Sequence, residues 1–137
     1  MIARRAALLA AVLLALVIVF QFALVLGAPW GRLTQGGFAD GPLSVEGRAL
    51  ALVSALISAF FAVGLLGRVG VGPLVDRWRA ATAASWVCLA YSLLGLIMNS
   101  LSSSVAEREV WTPVCLVLLV CAAATLWGTQ RRRPTAK

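Results

Sequence analysis

Four stretches of roughly twenty residues without a single charge leave this chain few ways to fold. They run Ala6–Ala28, Ala49–Gly67, Ala80–Asn99 and Pro113–Gln130. At about 1.5 Å per residue, the segment between Arg48 and Arg68 reaches roughly 28 Å, close to the thickness of a bilayer's hydrocarbon. In that medium no water satisfies backbone N–H and C=O groups, so each stretch must pair its own, as a helix does. The expected fold class is all-α: one four-helix transmembrane bundle over residues 1–137, ending in a short basic tail at 131–137. Composition agrees, since 61% of the residues are hydrophobic and 12% charged, against about 25% charged in a soluble domain.

The net charge of +7 is not interleaved with aromatics along one face, as nucleic-acid binding would require. It gathers instead at the chain ends and in one loop. Arg4, Arg5, Arg68, Arg77, Arg79, Arg131, Arg132, Arg133 and Lys137 fall on one side of the four spans, and Arg32, Arg48 and Arg108 on the other. That asymmetry predicts both termini in the cytoplasm and a multi-pass protein of the cytoplasmic membrane, in contact with anionic lipid. Trp30, Trp78, Trp111 and Trp127 lie near the expected interfaces, with Trp86 deeper. The first span follows a positive start but exceeds a signal peptide's apolar run, so it is expected to be retained.

Small residues recur along two spans: Ala51, Ala55 and Ala59 in the second, and Ala80, Ala84, Cys88 and Ser92 in the third. Such lines let backbones approach closely, and they predict that these two helices pair through them. Gln21, Ser54 and Ser92 fall at a common depth of roughly 8 to 11 Å below the expected outer ends. They form a candidate intramembrane polar layer, either interhelical hydrogen bonds or the floor of a shallow pocket. No Asp, Glu, Lys, Arg or His lies inside any of the four stretches, which disfavours proton-coupled transport and charge-selective conduction. Cys88, Cys115 and Cys121 form no C-x-x-C pair and the chain has no histidine. No metal site or cofactor is expected, and the thiols read as small hydrophobes.

Two loops share the side with few cations. In "GAPWGRLTQGG" (27–37), Pro29 is expected to stop the first helix at Ala28. Gly27, Gly31, Gly36 and Gly37 permit a tight reversal, and Trp30 would anchor it in the interface. In "NSLSSSVAEREVWTPV" (99–114), Ser104 and Glu107 fit a capping box. Thr112–Pro113 also reads as an N-cap and first helical residue, and both starts hold if a short interfacial helix precedes the fourth span. Asp40, Glu46, Glu107 and Glu109 stand beside Arg32, Arg48 and Arg108, as weak exposed ion pairs would.

Taken together, Gly27, Pro29, Trp30, Gly31, Gly36 and Gly37, then Asn99, Ser102, Ser104, Glu107, Arg108, Trp111, Thr112 and Pro113, carry a resemblance. The chain resembles a family of small, uncharacterised four-helix bacterial membrane proteins. A G-x-P-W-G…G-G loop follows the first helix of that family, and an E-R-x-x-W-T-P segment precedes the fourth. One departure is that Pro42-Leu43-Ser44 stands where the family tends to have leucine-proline. The resemblance implies the four-helix bundle and no particular activity.

The expected function is a binding or accessory module whose two outer loops form a roof. Its candidate residues are Pro29, Trp30, Gly31, Gly36, Gly37, Arg48, Asn99, Ser104, Glu107, Arg108, Trp111 and Pro113. Its expected partners are membrane lipids and a further membrane protein or a second copy, with no nucleic acid. The alternative is a small transporter or channel for a neutral or hydrophobic solute. Catalysis is not expected, because a serine nucleophile needs a well-placed base and oxyanion donors.

Overall fold

In a computed structural model the described residues are 1–130. The basic tail, with Arg131, Arg132, Arg133 and Lys137, lies outside them. Four helices carry the chain: α1 (Ile2–Val25), α2 (Val45–Arg68), α3 (Trp78–Ser100) and α4 (Val105–Gln130). Two 3₁₀ turns, Gly31–Leu33 and Gln35–Gly37, sit between α1 and α2. All four helices are long and apolar enough to cross a membrane, and the described residues contain no strand. The helices run up and down in a ring, α1 and α3 each lying between α2 and α4.

The packing inverts that of a water-soluble bundle. Large apolar side chains face outward: Leu9, Val12, Leu16 and Val19 on α1, and Val53, Leu56 and Phe60 on α2, are exposed at helical spacing. Small ones fill much of the centre, with Ala7, Ala10, Ala84, Ser85, Cys88, Ala122 and Thr125 at most 1% exposed, beside a few large ones such as Leu65 and Phe61. When lipid is as apolar as leucine, helices gain by close backbone approach rather than by hiding large side chains. A Cβ added at Gly64 would lie 2.5 Å from that of Ala84, and one at Gly67 3.1 Å from that of Ala81. These glycines join α2 to α3. The expected pairing of α2 with α3 holds, with Ala84 in the contact, but its partner is Gly64 rather than the α2 alanine stripe. Ala51 packs with Leu24 and Leu43 on the α1 side, and Ala80 is exposed.

The helix ends differ most from expectation. Gly27, not Pro29, ends α1: at φ +97° its N–H donates to Leu24 O, and Ala28 N–H donates to Ala23 O. These two bonds make a Schellman cap, which satisfies carbonyls left without helical partners. α2 starts four residues before the apolar run, because Ser44 Oγ accepts from Gly47 N–H at 3.2 Å. α4 begins at Val105, where Ser104 Oγ accepts from Glu107 N–H at 3.2 Å. Thr112–Pro113 is thus not a helix start: Pro113 lies inside α4, on an exposed face. The proline ring removes one donor and leaves the carbonyl a turn earlier unpaired, a break that membrane helices tolerate when neighbours or water re-satisfy it.

Candidate functional site

At the end of the bundle where α1 and α3 finish, residues 26–44 fold over the helices as a roof. Gly31 is buried there because nothing larger fits: its Cβ would come within 2.6 Å of Ala39 Cβ and 2.7 Å of the Ala39 and Gly41 carbonyls. Its N–H donates to Gly41 O at 3.0 Å and closes the loop on itself. Gly36 and Gly37, at φ +83° and +71°, turn the chain so that its backbone faces the start of α4. A Cβ at Gly37 would meet Ser104 Oγ at 2.5 Å. Gln35 ties the loop to α2 by donating to Gly47 O at 2.8 Å.

Three hydrogen bonds then join this loop to the start of α4. Ser104 Oγ donates to Arg32 O at 2.9 Å, and Trp111 Nε1 donates to Leu33 O. Gly36 N–H donates to the Glu107 carboxyl, 3.1 Å from Oε2 and 3.3 Å from Oε1. Ser102 Oγ donates to Glu107 Oε2 at 2.5 Å, and Arg108 Nη1 donates to Ser102 O at 2.8 Å. The capping box is therefore half formed: Ser104 caps the helix, but the Glu107 carboxyl reaches Gly36 and Ser102, and Ser104 N–H donates to Ser102 Oγ instead. Aromatic rings complete the roof. Phe20 stacks on Trp30 at 5.8 Å and meets Trp111 edge-on at 4.9 Å.

The expected ion-pair clasp reduces to one contact. Among the described residues only Arg32 and Asp40 form a salt bridge, and both are largely exposed. The Arg32 guanidinium, by hydrogen bond first and by charge second, holds the Asp40 carboxyl below its usual range. Arg48 turns back to donate from Nε to Leu43 O at 3.1 Å, and its guanidinium lies over Gly27, where an added Cβ would come 3.3 Å from Nη2, so it braces the entry to α2 against the end of α1. Pro29 is exposed at the edge of the roof.

Beneath the roof lies a cavity of about 220 Å³. Glu107, Trp111, Asn99 and Thr34 line its upper part, and Leu14, Phe61 and Leu118 are among its apolar lining. Gln21 and Ser92 line it as the polar layer anticipated, but Ser54 does not; Ser58 does, with its hydroxyl donated to Ser54 O at 2.8 Å. Counting depth from the ends of apolar runs misplaced this level, since α1 stops at Val25 and α2 begins at Val45. Asn99 Nδ2 donates to Gly95 O at 2.7 Å, within α3. The cavity can thus offer acceptors on a carboxyl and hydroxyls, set in a mainly apolar wall.

The candidate roof residues are divided accordingly. Gly31, Gly36, Gly37, Ser104, Glu107 and Trp111 meet in one network, whereas Pro29, Arg48 and Pro113 stand apart from it. Trp30 belongs through its ring and through its carbonyl, which accepts from Leu33 N–H at 2.9 Å. Phe20, Leu33, Gln35, Gly47 and Ser102 join the network, and Ser58 the cavity lining, without having been singled out as candidates. Only Ser102, inside the second loop motif, had a local signal; a backbone acceptor such as Leu33 O has none.

The four stretches are free of ionisable groups, but the helices are not confined to them. The helices extend past the apolar runs and bury one such group at each end: Glu107 is 8% exposed and Arg68 5%. Arg68 closes α2 at the end opposite the roof. Among the described residues no three His, Cys, Asp or Glu side chains group as a metal site, and the three cysteines are unpaired. Compared with protein-family models, curated proteins and solved structures, the chain matches none.

Proposed function

We propose that this protein is a membrane-embedded binding module of the cytoplasmic membrane, with both termini in the cytoplasm and the roof facing outward. The observation that carries the proposal is the cavity of about 220 Å³ beneath a roof fastened to α4 by Gly36, Arg32 and Leu33. Sites for drug-sized ligands usually span about 300–1,000 Å³. The ligand is therefore a small molecule, or one end of a larger one, mostly apolar with a hydrogen-bond donor for Glu107 or Ser92. The charge asymmetry of the loops supports the orientation, and the two loop motifs support kinship with the small four-helix bacterial family.

Binding is favoured over catalysis by the bonding of the serines. Ser102 and Ser104 hydroxyls are engaged with Glu107, with backbone N–H groups and with Arg32 O. Activation as a nucleophile asks for a base free to take the proton and donors aimed at an oxyanion.

Purification of the full chain in native-lipid discs, with mass spectrometry of everything retained, tests this reading. One small molecule should be held stoichiometrically and lost in Ser92→Leu, whose side chain fills the cavity, while the protein's helical content is unchanged. A protein partner lost on Trp30→Ala would make the roof itself the contact of an accessory subunit. Retention of nothing by the unaltered chain, or equal retention by Ser92→Leu, would overturn the cavity as the site.

A further inference from the structure

Arg68 is the most deeply buried charged side chain among the described residues, and no carboxylate there answers it. It holds three neutral acceptors. Nη1 donates to Thr82 Oγ1 at 2.8 Å, and Nη2 donates to Leu126 O at 3.2 Å and to Thr129 Oγ1. The guanidinium carbon sits 4.1 Å from the centroid of the Trp78 ring. These contacts clamp α2 to α3 and α4, but they leave the charge in place. They also leave donors over: guanidinium carries one N–H on Nε and two on each terminal nitrogen, and Nε is buried without any partner. A buried cation with spare donors is costly unless an anion reaches it.

The space for one is adjacent. A cavity of about 490 Å³ lies against Arg68, lined also by Trp78, Thr82, Trp86, Leu126 and Gln130. The surroundings share its sign. Arg77 and Arg79 flank the start of α3, and Arg4 and Arg5 stand on α1, which touches α4 at Ala3 and Gly128. Asp76 is the single described acid in the turn between α2 and α3, and it is exposed. α3 itself, entered through Arg77 at the N-cap, has no side-chain cap and no acid in its first turn, so its positive end is left unanswered as well. Trp86, 46% exposed on the outer face, marks a wall open to lipid.

We infer that this cavity is a phosphate-binding site with Arg68 as its receptor. Phosphate oxygens match guanidinium donors in geometry and charge. At the end of a membrane bundle the phosphate at hand is that of an anionic lipid headgroup, although free phosphate offers the same chemistry. Trp78 and Trp86 would then flank a headgroup, at the level where indole rings are favoured.

Native mass spectrometry of the full-length purified chain decides the matter, with phosphatidylglycerol or phosphatidylcholine added separately. The unaltered protein should retain phosphatidylglycerol over phosphatidylcholine. Arg68→Gln should lower that retention roughly fivefold or more, in line with about 1 kcal/mol per basic side chain at an anionic surface. Gln130→Glu sets a carboxylate at the rim of the cavity and keeps the clamp, so it should cause a similar loss with a melting temperature no lower than that of the unaltered chain. That variant decides alone if Arg68→Gln does not fold. Arg4→Gln, an exposed cation outside the cavity, should change retention far less. Displacement of the lipid by excess inorganic phosphate would identify the free ion as ligand; resistance to it would identify the lipid. Wild-type retention in Gln130→Glu, or a loss in Arg4→Gln as large as in Arg68→Gln, would overturn the site.

Discussion

The two ends of the bundle each bury one ionisable side chain, and they do it by different means. At the roof end, Glu107 receives Gly36 N–H and Ser102 Oγ. Its donors come from a loop whose glycines bring backbone close enough to serve. At the other end α2 and α3 are joined by a short turn with no covering loop, and Arg68 finds its acceptors on the helices themselves: Thr82, Thr129 and the Leu126 carbonyl. Neither group has an opposite charge beside it. A carboxyl needs donors, which helices expose only at their starts, so it requires a loop to supply them. A guanidinium needs acceptors, which threonines and a helix's last carbonyls already provide. The roof is thus the fragile end, because its contacts depend on a loop holding its shape.

The comparison breaks most visibly at Gly31. Gly31→Val would drive its side chain into Ala39 and the Gly41 carbonyl, at a cost of about 1–3 kcal/mol typical of overpacking. Hydrogen exchange should show amides of the 31–41 loop losing protection while those around Arg68 keep theirs; equal loss at both ends would mean that the ends are one cooperative unit. Glu107→Ala leaves Gly36 N–H and Ser102 Oγ without their acceptor and should cost about 1–3 kcal/mol, whereas Glu107→Gln keeps an acceptor oxygen and should cost less. Thermal unfolding of both variants in discs would sharpen whether the carboxyl acts here by charge or only as an acceptor.

Smaller effects separate single contacts. Trp111→Phe keeps a ring beside Phe20 and removes the donor to Leu33 O, for about 0.5–1.5 kcal/mol read from the melting temperature. The smallest effect belongs to Arg32 and Asp40. Asp40 has its carboxyl lowered in the folded chain, so its contribution is present above the ordinary carboxylate value and fades as pH falls through the lowered one. Asp40→Asn should flatten that slight acid-side loss, and because the pair is exposed, salt should flatten it too.

Much of this architecture is legible in the sequence as apolar length. Four uncharged runs give four helices long and apolar enough to span a membrane, and the two glycine- and serine-rich loops fall together at one end. Helix boundaries are not legible in the same way, since residues 45–48 and 105–112 are polar enough to leave the apolar run and yet remain helical. Ser44 and Ser104 mark those starts locally, but the proline at 113 offers a competing signal that only packing resolves. Arg68 looks like a loop cation until Thr82 and Thr129, from two other helices, close around it. Glu107 looks like a capping residue until Gly36, 71 positions earlier, comes to its carboxyl.

Those long separations have a consequence for how the molecule is made. The contacts that hold the roof, Gly36 to Glu107, Arg32 to Ser104 and Leu33 to Trp111, span 71, 72 and 78 positions of chain. A ribosome therefore delivers the loop long before its partners exist, and α1 and α2 enter the membrane with that loop unlatched. Latching waits for the start of α4, the fourth helix to emerge. Until then the Leu33 and Arg32 carbonyls and the Gly36 amide are held by water or by whatever assists insertion. The finished roof is a late event in biogenesis, and a chain halted after α3 would carry an open one.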